Sequence, residues 1–278
     1  TAQSSKIKSI GALMKVLMLT PYLPYPLLSG GQIRTYNLLK QLSKKHDITL
    51  FCLIKDEAEE QYVAEVERYC HRVRVFRRSR HPFTFKNIVQ TGFSRYPFLV
   101  IRNLVPSVVE AVRQELASAR YDLIHAETFY MMPHLPTTKI PIILVEQTIE
   151  SLGYESYAKK APLFLKPLLE IDIRKIRYTE QYYWRLADRL IVMSKEDKQL
   201  VVERLGQSEK IDVVANGVDT AWFAHRLKKL SKRPTALFVG TFKWLPNREA
   251  VDFLVKQVWP LIRRELPEAE LHIVGNAP

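Results

Sequence analysis

Short apolar segments alternate with longer amphipathic segments along most of the chain. This alternation is typical of parallel β-strands joined by helical crossovers, because a strand covered by helices on both faces is apolar throughout. Strands are predicted at Val16–Thr20, Ile48–Ile54, Val73–Phe76, Leu123–Ala126, Ile140–Val145, Leu190–Met193 and Ile211–Val214. Helices are predicted at about Gln32–Lys44, Glu57–His71, Pro106–Ala119, Lys166–Ala187 and Lys195–Leu205. The expected fold class is therefore α/β, with a Rossmann-like parallel sheet in residues 14–219.

The rest of the chain predicts a second, shorter unit of the same kind. The turn signal Asn216–Asp219 ends the first unit, and residues 220–233 are polar and basic without a strand or helix period, which indicates a linker. The elements predicted after it are a strand at Ala236–Val239, a helix from about Arg248 to Glu265 and a strand at Leu271–Val274. Because one βαβ unit is short for an independent domain, residues 234–278 are expected to be the beginning of a larger domain.

The amino-acid composition gives the chain a strong positive charge. The chain has 42 Lys and Arg against 29 Asp and Glu, a net charge of +13, which favours polyanions such as nucleic acid, acidic lipid or diphosphate ligands. Cys52 and Cys70 have no CxxC spacing, so neither a disulfide framework nor a metal site is predicted. No apolar run approaches the roughly 18 residues of a membrane-spanning helix. We expect a cytoplasmic protein, with residues 1–13 as a disordered extension outside the fold.

The first predicted strand leads through a proline-rich segment to Ser29-Gly30-Gly31 and then to a helix. Backbone N–H groups at a helix N-terminus attract phosphates and carboxylates, and glycines let such groups approach closely. Ligands in open α/β sheets also bind at the carboxyl ends of strands. Gly30 and Gly31 are therefore candidates for a phosphate site, although a flexible connection explains the pair equally well. Neither a GxGxxG fingerprint nor a GxxxxGK[ST] loop is present.

Polar residues also follow two later strands of the predicted sheet. His125 is expected at the carboxyl edge of the sheet, where it could position or deprotonate a hydroxyl group, and Glu127 would project from the same side. Glu146, Gln147 and Glu150 follow the next strand and could bind the sugar hydroxyls of an acceptor. The alternatives are a structural histidine and carboxylates that cap helices.

Residues 72–102 combine basic and aromatic side chains. This combination suits an anionic membrane surface that carries a lipid-linked substrate, and it also suits single-stranded nucleic acid. Solvated charge over a packed helix pair is an equally good account. A second stretch without an acid runs from Thr220 to Arg248, and Lys243 in it is the best single candidate for binding a nucleotide diphosphate.

In this order, the segments resemble the GT-B glycosyltransferases of the family-4 (group 1) type. The resemblance covers residues 15–278. Its matching pieces are Lys15–Thr20 leading to Gly30-Gly31, Asp122–His125, Ala187–Arg189 with Val192–Ser194, Asn216–Asp219 followed by Phe223, and Leu237–Gly240. The pieces Trp244–Asn247, Pro260–Ile262 and Ile273–Gly275 are similar to a subgroup from bacterial exopolysaccharide gene clusters.

The resemblance implies two facing Rossmann-like domains with a nucleotide-sugar donor between them and the acceptor in the N-terminal domain. It implies transfer of a sugar to an acceptor hydroxyl, generally with retention at the anomeric carbon and without a metal or other cofactor. Gly30, Gly31, Asn216 and Lys243 would then contact the donor or its phosphates. The partners implied are the nucleotide sugar, a glycan or lipid-linked acceptor and an anionic membrane surface, with no specific nucleic acid.

The same resemblance assigns catalysis to the end of one strand. His125 matches the first histidine of the family's frequent His-x-His strand end, and Glu127 stands in place of the second. The sequence to Pro278 does not contain the family's Glu-x7-Glu segment, so the donor domain is expected to be truncated. A non-catalytic binding module of the same fold and a nucleic-acid-binding protein are the two rival functions.

Overall fold

The computed structural model describes residues 13–224, 233–242 and 245–275. The chain divides into two compact units, Thr1–Gly217 and Val218–Pro278. The strands of the first unit are β1 (Lys15–Thr20), β2 (Asp47–Ile54), β3 (Arg72–Arg77), β4 (Leu123–Glu127), β5 (Ile142–Glu146), β6 (Arg189–Val192) and β7 (Ile211–Val213). Its α-helices are α1 (Gly30–Leu42), α2 (Val63–Glu67), α3 (Phe85–Phe93), α4 (Phe98–Ile101), α5 (Pro106–Ser118), α6 (Glu150–Lys160), α7 (Lys166–Leu186) and α8 (Lys195–Leu205), with 3₁₀ segments at Glu57–Tyr62 and Phe129–His134.

The first unit contains a 7-stranded sheet in the order β3-β2-β1-β4-β5-β6-β7, and every neighbouring pair is parallel. The strands predicted from the apolar runs are confirmed to within two residues at each end. The chain moves outward from β1 in one direction to β3 and then in the other direction from β4 to β7. The reversal between β1 and β4 creates a crevice at the carboxyl ends of these strands, where open α/β sheets bind ligands.

Two apolar layers cover the sheet. Side chains of β1 alternate between them: Leu17 and Leu19 pack into the larger layer, and Val16 and Met18 into the smaller one. Trp184 of α7 is fully buried in the larger layer. Because both faces are covered, the strands are apolar throughout, which explains why continuous apolar runs predicted them.

Two aspartates fix the amino ends of neighbouring strands. The Oδ2 of Asp122 accepts the backbone N–H of Lys15 at 3.0 Å, while the N–H of Asp122 donates to the carbonyl of Lys15. Asp188 pairs in the same reciprocal way with Ile142, at 2.8 Å for the side-chain bond. Each aspartate therefore holds the start of the adjacent strand by two hydrogen bonds, which sets the register of β1 against β4 and of β5 against β6.

Several helices differ from the prediction. The segment predicted as one helix over Glu57–His71 is a 3₁₀ segment followed by the short α2, and a capping box between Asp56 and Glu59 starts it. Helices α3, α4 and α6 were not predicted, because α4 is a single turn, and α3 and α6 are short and each contain a glycine, which weakens a helix signal. Gly30 and Gly31 do not precede α1 but form its first turn, after the N-cap Ser29.

The second unit contains the helix α9 (Thr220–Ala224) and a 2-stranded parallel sheet. Its other elements are β8 (Thr235–Val239), α10 (Leu245–Phe253), a π-helical turn (Leu254–Val258), α11 (Trp259–Glu265) and β9 (Glu270–Val274). The predicted βαβ unit is thus confirmed, while α9 lies in the segment predicted as a linker. A Cβ at Gly275 would clash with the carbonyl oxygen of Gly240, so the strand ends approach more closely than another residue allows.

Three predicted features lie wholly or partly outside the described residues. These are residues 1–12 of the expected extension, residues 225–232 of the expected linker and Lys243. None of the helices in the described part of the chain combines the length and hydropathy that a membrane span requires.

Candidate functional site

The carboxyl ends of β1, β4 and β5 meet beside the first turns of α1. Residues from these four regions form one hydrogen-bonded group, which we call the edge cluster: Tyr22, Thr35, His125, Glu127 and Gln147. The cluster lies at the reversal point of the sheet. Its position is therefore that of a ligand site in an open α/β fold.

His125 and Glu127 form the centre of the edge cluster. They lie two residues apart on β4, so their side chains leave the strand on the same face. The Nε2 of His125 lies 2.9 Å from the Oε1 of Glu127, and both residues are buried. A buried carboxylate in this position orients the imidazole, an arrangement that general acid–base chemistry uses.

Gln147 connects this pair to the proline-rich loop after β1. Its Nε2 donates to the Oε2 of Glu127 and to the hydroxyl of Tyr22, both at 2.7 Å. The hydroxyl of Tyr22 lies 3.1 Å from the Oγ1 of Thr35 on α1. Burial, followed by the negative charge of Glu127, raises the pKa of Tyr22 to about 12. Tyr22 therefore stays neutral and can act as a hydrogen-bond donor within the cluster.

Gly31 lies directly against the edge cluster. A Cβ at this position would lie 2.7 Å from both the Oε1 of Gln147 and the hydroxyl of Tyr22. A Cβ at Gly30 would meet nothing within 4 Å. The two glycines therefore differ: Gly31 is required for the close approach of the side chains, whereas Gly30 faces open space at a helix N-terminus.

The backbone turns sharply directly after Glu127. Thr128 has a φ of 70°, which is an outlier for a β-branched residue. Such a conformation costs on the order of 1–3 kcal/mol and persists only where the surroundings hold it. The N–H of Thr128 donates to the carbonyl of Val145 at 2.7 Å, which keeps the ends of β4 and β5 together.

Arg34, which was not singled out from the sequence, connects Asn216 to helix α1. The NH1 of Arg34 on α1 donates to the Oδ1 of Asn216 at 3.1 Å and to the carbonyl of Ala215 at 3.2 Å. Arg34 is buried, and its charge lowers the pKa of Tyr22, although less than burial raises it. Arg34 therefore joins the segment after β7 to the helix that carries Gly31 and Thr35.

Glu146 and Glu150 are not part of the edge cluster. The Oε1 of Glu146 accepts the indole N–H of Trp184 at 2.8 Å, and burial, with the charge of Glu180 next, raises its pKa well above the usual value. This buried position gives no support to the predicted acceptor-binding role of Glu146. Glu150 begins α6 and accepts the hydroxyl of Thr148 at 3.3 Å, and burial also raises its pKa.

The structure thus brings together four of the predicted site residues, His125, Glu127, Gln147 and Gly31. The structure also places Tyr22, Arg34 and Thr35 here, and these three residues were not predicted from the sequence. The spacing of Gly31, Arg34 and Thr35 at i, i+3 and i+4 was the signal that could have found the latter two, because these positions share one helix face. Within the described ranges, no group of three or more His, Cys, Asp or Glu residues is placed to hold a metal ion.

A doubly wound parallel sheet with a polar cluster at its reversal point, followed by a second βαβ unit, defines a GT-B type of α/β protein. The chain belongs to Glycosyltransferase Family 4, whose family model matches residues 28–222. This match covers more than half of the chain. It includes most of the first unit and four members of the edge cluster, Thr35, His125, Glu127 and Gln147, while Tyr22 lies before the matched residues.

Known proteins similar to the chain agree with this class. An uncharacterized 44.6 kDa protein in the cps region of Klebsiella pneumoniae is 21% identical over 271 residues, which cover 95% of this chain and 65% of that protein. The chain therefore spans less than two thirds of this relative. The crystal structure of TarM has a TM-score of 0.57 at 8% identity and is matched over 96% of this chain and 72% of that one. The S. aureus MnaA–UDP structure has a TM-score of 0.50 at 13% identity, over 96% and 64%.

Proposed function

We propose that this chain is part of a glycosyltransferase that moves a sugar from a nucleotide sugar to an acceptor hydroxyl, with retention at the anomeric carbon. The observation that carries the proposal is the hydrogen-bonded edge cluster around His125 and Glu127, packed on Gly31 at the reversal point of the sheet. Membership of Family 4 supports the reaction class. The similarity to a protein of a Klebsiella cps region supports a role in exopolysaccharide synthesis.

In the proposed mechanism, the residues divide into two groups. His125, oriented by Glu127, contacts the reacting hydroxyl and moves its proton. Gln147 and Tyr22 hold Glu127 and so keep the pair in position. The N-terminal turn of α1, with Gly30 open to its surroundings, stabilises the negative charge of the leaving diphosphate. Asn216 and Lys243 are proposed on the donor side, and no metal is required in this scheme.

The experiment is a transfer assay on the full-length protein that contains this chain, with a panel of UDP- and GDP-sugars. We expect product whose anomeric configuration matches the donor, and we expect His125→Asn to lower kcat by about 10²- to 10⁴-fold, with little change in the KM for the donor. Glu170→Gln, an exposed change on α7, serves as the control. Donor binding without product would favour the non-catalytic binding module, and product of inverted configuration would contradict retention.

We also propose that the protein binds peripherally to the inner face of an anionic membrane. Large apolar side chains are exposed on α3 and at the corner between α6 and α7: Phe85, Ile88, Phe93, Leu163, Phe164 and Leu168. We call this set the apolar face. The Nζ of Lys175 on α7 donates to the carbonyls of Thr91 and Ser94, which ties the C-terminal end of α3 to α7.

The charges beside the apolar face favour an anionic bilayer as its partner. Lys86 and Arg95 are exposed next to it. Several arginines of the predicted basic stretch instead have carboxylate partners, including Arg72 with Glu115 and Arg80 with Asp56. The stretch 72–102 therefore contributes apolar surface from α3 more than free positive charge.

Flotation with vesicles tests this membrane proposal. We expect the chain to float with phosphatidylglycerol vesicles and to remain below phosphatidylcholine vesicles. The double variant Phe85→Ala/Phe93→Ala, whose side chains are 83% and 93% exposed, should reduce flotation several-fold without changing the folded state measured by circular dichroism. Equal flotation of the variant and the unchanged chain would contradict the role of α3.

A further inference from the structure

Two arginines from different elements are held side by side at the carboxyl edge of the sheet. Arg78 follows β3, and Arg102 is the C-cap of α4. The NH1 of Arg78 donates to the Oδ1 of Asn103 at 2.6 Å, and Asn103 is fixed in turn because its Nδ2 donates to the carbonyl of Leu99 at 2.7 Å. Asn103 is buried, so this contact defines where the Arg78 guanidinium lies.

Neither guanidinium is neutralised by the residues around it. The Nε atoms of Arg78 and Arg102 are both buried, and no acceptor in the described part of the chain lies within hydrogen-bond distance of them. Among the described residues, neither arginine forms an ion pair with a carboxylate. Burial lowers the pKa of Arg78, and the positive charge of Arg102 lowers it further.

Neighbouring arginines show that carboxylate partners are available at this edge. Arg77 pairs with Glu57, and Arg80 pairs with Asp56 at 3.1 Å. Arg78 lies between them in sequence but is directed toward Asn103 and Arg102 instead. Holding two like charges together in a partly desolvated place is unfavourable unless an anion compensates them.

The surroundings have room for such an anion. Arg78 lines a cleft of about 450 Å³ at the carboxyl ends of β2 and β3, and the other lining residues are Lys55, Asp56, Glu57, Arg77, Ser79 and Arg80. The two carboxylates of this cleft are the ones that pair with Arg77 and Arg80. On the other side, the charge of Arg102 opposes the upward shift that burial gives to the pKa of Glu150. The charge of Glu59 acts in the same way on Arg78. Among the described residues, neither carboxylate lies within ion-pair distance of its arginine, so both guanidinium groups can still bind an anion.

An exposed aromatic ring, that of Phe83, also lies close to the pair. The ring of Phe83 stacks on that of Phe98 with centroids 5.0 Å apart, and Phe98 begins α4, the helix that ends at Arg102. A ligand with an anionic group and an apolar tail would therefore find both partners close together.

We infer that Arg78 and Arg102 bind a phosphate or diphosphate group of the acceptor, a site that lies apart from the donor phosphate site proposed at Gly30 and Gly31. The acceptor class is thus a phosphate or diphosphate ester, which lipid-linked sugars contain. This inference rests on the proposed function for the identity of the ligand. The anion-binding property of the pair does not depend on it.

The first test is calorimetric titration of the 278-residue chain with inorganic pyrophosphate at low salt. We expect Arg78→Ala and Arg102→Ala each to weaken binding about tenfold or more, because each removes charge-assisted hydrogen bonds. Arg78→Lys should retain part of the affinity. Arg113→Ala on α5 is the matched control and should change binding less than about threefold, since Arg113 is outside the cleft and its charge is already paired with Glu110.

Pyrophosphate binding that is lost in Gly31→Glu but unchanged in Arg78→Ala would place the anion at the helix N-terminus and overturn the inference. Unchanged binding in Arg78→Lys and Arg78→Ala together would do the same, and thermal melts of all variants report whether they fold. Absence of pyrophosphate binding by the unchanged chain would also overturn it.

A second arm separates the sources of the phosphate group. The chain is mixed with phosphatidylcholine vesicles that contain a polyprenyl diphosphate, and free pyrophosphate is then added as a competitor. Binding to the vesicles that pyrophosphate displaces, and that Arg78→Ala abolishes, supports a lipid-linked acceptor, whereas binding of pyrophosphate alone supports a water-soluble ester. A chain that binds these anions through Arg78 but transfers no sugar would refute the proposed function and leave the anion site standing.

Discussion

The amide nitrogen of Gln147 lies 2.7 Å from the hydroxyl of Tyr22, although the two residues are 125 positions apart in the chain. This contact closes the edge cluster over Gly31 and links the end of β5 to the loop after β1. Two side chains of uncharged residues thereby hold the carboxylate of Glu127 in a buried place. The geometry of the proposed site therefore depends on the hydrogen bond between Gln147 and Tyr22.

Gly31→Ala is expected to disturb the edge cluster. The added Cβ would lie 2.7 Å from the Oε1 of Gln147 and from the hydroxyl of Tyr22, so at least one of these side chains must shift, which distorts the hydrogen bonds between them. Overpacking of this kind costs about 1–3 kcal/mol. Gly30→Ala is the matched control, because its Cβ meets nothing within 4 Å, and it should be neutral or slightly stabilising. Equal melting temperatures for the two variants would contradict this account of Gly31.

Tyr22→Phe is expected to lower the free energy of unfolding by about 1 kcal/mol. The change removes the hydroxyl that accepts from Gln147 and pairs with Thr35, while the ring keeps its place. Urea denaturation of the variant and of Tyr178→Phe, an exposed tyrosine on α7, provides the measurement and its control. If both variants unfold at the same urea concentration, the Tyr22 hydroxyl adds nothing to the stability of the cluster.

Arg34→Ala is expected to release the segment after β7. It removes the two hydrogen bonds to Ala215 and Asn216, which are exposed and can bind water instead, at a cost of roughly 0.5–1.5 kcal/mol. Hydrogen exchange should rise in residues 214–217 more than in the sheet. Arg113→Ala on α5, which pairs only with Glu110 of the same helix, should leave this exchange unchanged. Unchanged protection at 214–217 in Arg34→Ala would show that other contacts hold the segment.

Stability is expected to fall as the pH rises above the ordinary carboxyl pKa of about 4.5. Burial raises the pKa of Glu180 to about 7 and also raises that of Glu146, so both are protonated in the folded protein where they are already ionised in the unfolded chain. Their stabilising contribution is complete below pH 4.5 and is lost as the pH passes through the folded pKa values. For Glu180 the loss is on the order of 3 kcal/mol.

Glu146→Gln and Glu180→Gln test this dependence. Each replaces a buried acid by a neutral amide, so the variant should gain stability relative to the unchanged chain at pH 8 and little at pH 4.5. Denaturation midpoints across this pH range give the comparison, with the exposed Glu170→Gln on the same helix α7 as control. A difference between variant and unchanged chain that does not depend on pH would mean that the buried carboxylates are ionised in the fold.

The elements could be predicted because their signals are local. A strand buried on both faces is apolar throughout, so Val16–Thr20 and Ile48–Ile54 were visible without any knowledge of their neighbours. Helix α3 was missed because its local signal is weak: it has only nine residues, and Thr91 and Gly92 near its end are poor helix formers.

The candidate site could be predicted only in part. The strand-end positions of His125 and Glu127 followed from the pattern, because alternate residues of a strand share a face. The separation of Glu146 from Gln147 could not be predicted in the same way. They are consecutive residues at the end of β5. The structure places Glu146 against Trp184 and Gln147 against Tyr22.

The sequence by itself therefore determined the alternation of strands and helices, the parallel sheet and the regions where a ligand site could lie, since these depend on the periodicity of neighbouring residues. Only the tertiary structure decided which side chains meet. The contacts of Gln147 with Tyr22, of Arg34 with Asn216 and of Arg78 with Asn103 join residues from separate elements. Their geometry depends on strand order and register, which no local pattern records.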